Sequence, residues 1–133
     1  MPVEHSVKLR VRFAETDAMQ VVYYAVYLVW FEVARTELFR SVGLPYNEIQ
    51  KRGFHTPVVQ AVVDYKSSAR YDDEVIVKAR VGKVGSSSIR LDYEVTKTPG
   101  KVVVCTGHTV HVFIGSDGKS KRIPDEVREK FSA

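Results

Sequence analysis

The first residues of the chain alternate between hydrophobic and polar side chains. Between Val3 and Phe13, every second residue from Val7 onward is apolar, and the residues between these apolar positions are basic. The apolar positions are Val7, Leu9, Val11 and Phe13. A period of two is typical of a strand that buries one face, so the pattern predicts a strand over Val3–Phe13.

The period then changes to that of a helix. Apolar residues between Tyr23 and Val42 recur at intervals of three and four, which predicts a helix over this segment. They are Tyr27, Trp30, Phe31, Ala34, Leu38 and Val42. The first half of the segment is apolar nearly all round, so we expect that half to be enclosed. Gly43, followed by Pro45, predicts the end of the helix.

Strands dominate the rest of the chain. Residues Tyr46–Arg52 are irregular or helical, and Pro124–Phe131 reads as a short terminal helix. The predicted strands are Val58–Tyr65, Glu74–Val84, Ser87–Thr96 and Val102–Ile114. The order predicts one α+β domain over residues 1–133, in which an antiparallel sheet of about five strands curls around one long helix. Such a sheet leaves strand edges, which favour pairing with a second copy.

Composition and charge narrow the possible functions. The chain has 133 residues, 44% of them hydrophobic and 27% charged, as in ordinary globular proteins. Its longest apolar run, Ala25–Phe31, is too short to span a bilayer, and Met1–His5 lacks the features of a signal peptide. Cys105 is the single cysteine, which favours a reducing cytoplasm. The net charge of +4 suits a phosphorylated small molecule, and the scattered basic residues form no nucleic-acid recognition module.

Several motifs are incomplete. Gly118-Lys-Ser ends like a phosphate-binding loop, but Phe113 stands where that loop needs its first glycine. His108 and His111 would point to opposite faces of a strand, so a metal pair is not expected. Cys105 lies in an apolar run and is interpreted as a buried small hydrophobe.

Asp17 precedes the apolar helix and has two interpretations. Asp17-Ala-Met-Gln20 resembles a capping box, with an acid at the N-cap and Gln three residues later. A carboxylate beside free N–H groups at a helix start would also suit acyl transfer, because those groups can hold a developing oxyanion. The two roles do not exclude each other.

The segments around Asp17 resemble a known family. Phe13-Ala-Glu-Thr-Asp17, the tyrosine-rich Val21–Tyr27 and Phe31-Glu-x-Ala-Arg35 look like the signature of hotdog-fold acyl-CoA thioesterases. They are most similar to the 4-hydroxybenzoyl-CoA thioesterase family, including its Tol-Pal-associated branch. The resemblance continues through Gly43–Pro45, Thr56–Val59, Tyr65–Ser67, Ala69–Asp73 and Ser86–Ser88. It implies the hotdog fold, an antiparallel sheet around a central helix.

The resemblance also implies a site. Asp17 takes the catalytic aspartate position, as nucleophile or general base, and Tyr24 takes the position whose backbone N–H polarises the thioester carbonyl. No metal or bound cofactor is needed, membrane insertion is not expected, and the partner is a second copy in a homodimer or homotetramer. The residues expected to bind acyl-CoA are Val22, Tyr23, Tyr27, Val58 and Val59, together with Lys66, Arg70 and Arg90, whose positive charges suit the phosphate groups of coenzyme A.

Three positions depart from the family pattern. Tyr24 stands where many relatives in the Tol-Pal-associated branch carry His, and Val26 stands where many carry Asn. Gln20 stands where the family usually has Gly; a positive φ there would cost Gln roughly 1 kcal/mol.

The expected reaction is hydrolysis of an acyl-CoA thioester to a carboxylic acid and coenzyme A. A hotdog hydratase would need a His on the helix, which has none, while a non-catalytic acyl-CoA-binding module remains an alternative. Glu15 is expected to flank the site without acting in it, and His55 is a second candidate base. Glu32 and Arg35 are interpreted as an ion pair on the helix surface or at a dimer contact.

Overall fold

The computed structural model describes residues 3–132, which form one antiparallel sheet with helices packed on it. The spatial order of the five strands is β1-β3-β4-β5-β2, and every neighbouring pair is antiparallel. The strands are β1 (Glu4–Arg10), β2 (Val58–Tyr65), β3 (Glu74–Val84), β4 (Ser88–Lys97) and β5 (Val102–Val112), and the helices are α1 (Val26–Ser41), α2 (Tyr46–Lys51) and α3 (Asp125–Phe131). The predicted element order is confirmed.

The first strand is shorter than the alternation predicts. Val7 and Leu9 turn toward the core as expected, but β1 ends at Arg10 and a 3-10 turn covers Phe13–Glu15. The side chain of Phe13 is 76% exposed, so its prediction as an inward strand residue is wrong. The reason is local: the chain leaves the sheet after Val11 and turns into the segment that carries Asp17.

Helix α1 packs one face on the sheet. Its apolar positions at three- and four-residue spacing are buried, and the ring of Phe31 stacks on that of Tyr93 with centroids 4.2 Å apart. The expectation of an enclosed first half is wrong within one protomer, since the side chains of Leu28 and Val29 remain 38% and 54% exposed. The helix also begins at Val26, three residues later than predicted.

The end of α1 follows the predicted glycine. Gly43 has φ +81°, the left-handed conformation that a glycine adopts without a Cβ clash. Its N–H donates to the Arg40 carbonyl and that of Leu44 donates to the Phe39 carbonyl, which is the Schellman arrangement. These bonds pair carbonyls that the helix end would otherwise leave free.

The sheet has two edge strands, β1 and β2. Strand β2 has a free edge and carries three large exposed apolar side chains, Val58, Val59 and Tyr65. Cys105 is fully buried as predicted, and burial raises the pKa of its thiol to about 12. Within residues 3–132, the helices are all too short or too polar to cross a bilayer.

Candidate active site

Asp17 lies in a tight turn well ahead of α1. Its side-chain Oδ1 accepts a 2.9 Å hydrogen bond from the Met19 N–H, and its carbonyl accepts a 2.8 Å bond from the Gln20 N–H. The Asp17 N–H donates to the Val21 carbonyl at 2.9 Å. The capping-box interpretation is therefore wrong: α1 begins at Val26, and Asp17 caps its own turn instead.

Gln20 occupies the left-handed region at this turn, with φ +66°. The conditional expectation of a positive φ at this family glycine position is confirmed. This conformation costs a residue with a Cβ about 1–2 kcal/mol, and glycine avoids that cost. The turn that holds Asp17 is thus strained at one residue.

Glu15 anchors the segment that carries Asp17 to the helix. Its side chain is buried, and it accepts hydrogen bonds from the Trp30 indole N–H at 2.9 Å and from the Arg12 backbone N–H at 2.8 Å. Burial alone would raise the pKa of the Glu15 carboxyl, but these bonds outweigh it and hold that pKa below its usual value. The Glu15 carbonyl also accepts from the Tyr23 N–H at 2.9 Å. Glu15 therefore has a structural role in positioning Asp17.

The start of α1 is free of side-chain caps. Ala25, at the N-cap, makes no side-chain capping bond. Within residues 3–132, the Tyr24 N–H donates no hydrogen bond, and the Tyr24 side chain is 62% exposed. The Tyr65 hydroxyl donates to the Tyr24 carbonyl at 2.8 Å, which ties the end of β2 to the helix start. An unpaired N–H beside a helix N-terminus is a site where negative charge is stabilised.

A surface cavity of about 580 Å³ opens beside Asp17. One of its walls is Arg70, whose guanidinium lies 3.4 Å from the Gln20 carbonyl. Its lining residues are Phe13, Ala14, Thr16, Asp17, Gln20, Arg70 and Tyr71. Of the basic residues predicted to bind acyl-CoA, Arg70 is thus the one that lies next to Asp17.

Two of the predicted binding residues belong to the core. Val22 is 4% exposed, and its N–H donates to the Ala69 carbonyl. Tyr27 is 3% exposed, and burial raises its pKa to about 12. Their prediction as substrate contacts is not supported, because both side chains pack beneath the site. Tyr23 is exposed, with its ring 4.6 Å from that of Tyr24.

The other predicted binding residues lie away from Asp17 of the same protomer. Val58 and Val59 begin β2, about 20 Å along the strand from Tyr65 at its other end. Lys66 is exposed just beyond β2. Arg90 is on the sheet face opposite α1, where it pairs with Asp92 at 2.8 Å. Arg90 as a substrate contact is therefore a prediction that the geometry of one protomer does not support.

A second cavity, of about 330 Å³, lies between the second half of α1 and β5. We call it the α1–β5 cavity; it is lined by Glu32, Arg35, Thr36, Phe39, Tyr46, Thr56 and His111. Arg35 and Glu32 are 3.9 Å apart, as the ion-pair interpretation expects. His55, the second candidate base, bonds the Tyr46 hydroxyl at 2.8 Å near this cavity and not beside Asp17.

The α1–β5 cavity was not foreseen from the sequence. The only signal was the alternation on β5 that turns Thr109 and His111 inward, where an apolar residue is usual. No cluster of three or more potential metal ligands occurs in the part of the chain that the structure describes.

Comparisons with known proteins identify the family. The family model described as the thioesterase-like superfamily matches residues 11–131. The chain belongs to this superfamily. The acyl-CoA thioesterase YbgC of Haemophilus influenzae is 31% identical over 129 residues, which cover 95% of this chain and 93% of that protein. The 1,4-dihydroxy-2-naphthoyl-CoA hydrolase of Nostoc punctiforme is 33% identical over 124 residues, covering 88% of this chain and 79% of that protein.

Solved structures of the thioesterase-like superfamily share the fold. The DHNA-CoA thioesterase from Staphylococcus aureus superposes with a TM-score of 0.90 at 32% identity, covering 97% of this chain and 89% of that one. The five-stranded antiparallel sheet with its long helix is thus the hotdog fold, as the resemblance implied. The family also establishes thioester hydrolysis as the class of reaction to which the site must be fitted.

Proposed function

We propose that this chain hydrolyses an acyl-CoA thioester, with Asp17 as the catalytic carboxylate and the Tyr24 N–H as an oxyanion donor. The observation that carries the proposal is the placement of Asp17 in an open cavity, on a segment that leads directly into an uncapped helix start. A carboxylate and an unpaired N–H in this order provide the attacking group and the charge stabilisation that acyl transfer requires.

Two routes are compatible with the site. In the nucleophilic route, an Asp17 oxygen attacks the thioester carbonyl carbon and the C–S bond breaks. The thiolate takes a proton from water, and the hydroxide formed hydrolyses the mixed anhydride to the carboxylic acid and the ionised Asp17. In the general-base route, Asp17 takes a proton from water as the water oxygen attacks, and that proton passes to the departing sulfur. In both routes the carbonyl oxygen becomes negative beside the Tyr24 N–H.

We further propose that the working unit is a homodimer, or a homotetramer made from two dimers. The free edge of β2 carries exposed apolar side chains, and the adjoining face of α1 exposes Leu28 and Val29. Two copies related by a two-fold axis pair such edges antiparallel, so the start of one β2 lies beside the end of the other. Val58 and Val59 of the partner would then stand near Tyr24, which gives these predicted binding residues a role across the interface.

Coenzyme A carries phosphate groups, and Arg70 places a cation at the cavity beside Asp17, while Lys66 is exposed just beyond β2. We also propose, from the motif resemblance, that the chain is a single hotdog domain of the 4-hydroxybenzoyl-CoA thioesterase family and its Tol-Pal-associated branch. A cytoplasmic location fits its unpaired Cys105.

A thiol-release assay with a series of acyl-CoAs tests the function. We expect release of coenzyme A with at least one acyl class and saturation at rising substrate concentration. The rival function, an acyl-CoA-binding module without catalysis, draws support from the strained Gln20 in the Asp17 turn. Binding of several acyl-CoAs in calorimetry with no release of thiol would establish that rival.

A further inference from the structure

A directional chain of hydrogen bonds runs from Arg35 into the core. The Thr56 carbonyl can only accept, so the His111 Nδ1 atom, 3.0 Å away, must carry the ring proton. The His111 Nε2 atom therefore accepts from the Thr109 hydroxyl at 2.8 Å, and Thr109 Oγ1 accepts from the Tyr93 hydroxyl at 2.7 Å. The Tyr93 oxygen is left to accept from Arg35 Nη1, at 3.3 Å.

This chain holds the Arg35 guanidinium in place without using up its donors. A guanidinium has five N–H donors, and Tyr93 takes one of them. The Glu32 carboxylate is 3.9 Å away and its side chain is 69% exposed, whereas that of Arg35 is 17% exposed. Within residues 3–132, the Arg35 guanidinium makes a side-chain hydrogen bond to Tyr93 and an ion pair with Glu32, and no other side-chain partner. The mostly buried Arg35 guanidinium therefore faces the α1–β5 cavity with N–H donors that have no partner in the part of the chain that the structure describes.

The lining of the cavity carries two formal charges, the mostly buried Arg35 and the mostly exposed Glu32. Arg35 is the one permanent cation among its lining residues. Burial lowers the pKa of His111 to about 4, so its ring is neutral near pH 7. One planar guanidinium matches a carboxylate, which it binds through two parallel bonds. The rings of Phe39 and Tyr46 offer walls for a carbon chain.

We propose that the α1–β5 cavity of one protomer receives the far end of an acyl group whose thioester lies at Asp17 and Tyr24 of the other protomer. Arg35 in that cavity selects acyl groups that end in a carboxylate. This rests on the proposed thioesterase function and dimer. His111 is paired with Val58 in the sheet, so the cavity adjoins the start of β2. Antiparallel pairing of two β2 edges brings that end of the partner beside Tyr24, where the thioester carbonyl is bound.

Matched substrates test this specificity. The ratio of kcat/KM for suberoyl-CoA to that for octanoyl-CoA compares acyl chains of equal length with and without a terminal carboxylate. We expect the wild type to favour suberoyl-CoA by roughly tenfold or more, as for a charge-assisted bidentate contact. Arg35→Gln should bring the ratio close to one, and Arg35→Lys should keep part of the preference. A wild-type ratio at or below one, with octanoyl-CoA hydrolysed, overturns the inference and leaves the proposed function standing.

Calorimetry with free suberate keeps the inference testable if no thioester is cleaved. Suberate binding that is lost in Arg35→Gln supports the carboxylate site even though the proposed function fails. If suberate does not bind to the wild type, the inferred carboxylate site at Arg35 is wrong. Tyr93→Phe provides a second variant, which keeps the stacked ring and the charge of Arg35 but removes the acceptor that orients it; we expect weaker suberate binding.

Mixed dimers test the contribution of the partner. A dimer of one Asp17→Asn copy and one Arg35→Gln copy contains one site with an intact Asp17 and the partner's intact Arg35. Purified mixed dimers should therefore recover the wild-type preference for suberoyl-CoA. A ratio that stays at the Arg35→Gln value contradicts the placement of Arg35 across the interface.

Discussion

The Trp30 indole N–H donates a 2.9 Å hydrogen bond to the Glu15 carboxylate and so joins the segment that carries Asp17 to helix α1. Both side chains are buried, with Glu15 7% and Trp30 2% exposed. The bond matters for the site because Asp17 follows Glu15 by two residues, and because Glu15 also holds Tyr23 through its carbonyl.

Glu15→Gln should destabilise the fold and slow hydrolysis. The amide replaces one accepting oxygen by a donor, which then faces the Trp30 or Arg12 N–H. A buried donor left unpaired costs about 1–3 kcal/mol of unfolding free energy. Urea unfolding measures the loss, with the exposed Glu129→Gln as the matched control, expected within about 0.5 kcal/mol of the wild type. Equal stability of the two variants would show that the Glu15 bonds are dispensable.

Gln20→Gly should stabilise the Asp17 turn and raise the hydrolysis rate. Gln20 is strained at its φ of +66°. Glycine removes that strain but increases the conformational entropy of the unfolded chain. We expect a net gain of about 0.5–1 kcal/mol. Gln20→Ala, which keeps the Cβ and loses the amide, is the control and should gain nothing. If Gln20→Gly shows unchanged or lower activity, the turn is adapted to Gln.

His111 should make stability depend on pH below neutrality. Burial, the largest cause, and the nearby Arg35 lower its folded pKa to about 4 from 6.5, against an opposing bond to the Thr56 carbonyl. As pH falls, the unfolded state binds the proton before the folded state does. The stability of the fold that depends on a neutral His111 is therefore complete above pH 6.5 and is lost toward pH 4. Between pH 7 and pH 5, the free energy of unfolding of the wild type should fall by about 2 kcal/mol more than that of His111→Gln. Parallel urea-unfolding profiles for the two proteins would contradict the assignment.

Light scattering tests the proposed interface. We expect no species at 15.1 kDa at micromolar concentration, because a monomer leaves the apolar edge of β2 in water. Val59→Lys places a charge on that edge and should shift the equilibrium toward monomer. Val102→Lys, at a similarly exposed valine on β5, is the control and should leave the assembly unchanged. A wild type that is monomeric at all concentrations contradicts the interface.

The sequence predicted the fold well because each element has its own periodic signal. The bounds of β2 and β3 match the alternation, and Gly43 ends α1 through the expected backbone geometry. The errors lie where the chain departs from periodicity. Phe13 follows the alternation of β1 in sequence, yet it turns outward because the sheet ends before it.

The site was only partly predictable. Asp17 was found through its motif and Arg70 through its charge, and the structure places both at one cavity. Glu15 was expected to flank the site without acting in it, but no local pattern shows that Trp30 bonds it from α1. The chain from Arg35 to Thr56 joins residues from α1, β4, β5 and the segment before β2, so only the folded register brings it together.

Asp17→Asn tests the central claim most directly. The Asn side-chain oxygen can accept the Met19 N–H bond as the carboxylate does, so the turn and the thermal midpoint should be nearly preserved. Loss of the carboxylate should lower kcat by about 10²–10⁴, the usual contribution of a positioned base, while substrate affinity persists. The measurement is steady-state thiol release beside the Tm of the same preparation. A variant that keeps its Tm and turns over like the wild type would show that Asp17 only closes its turn, and the proposed mechanism would be wrong.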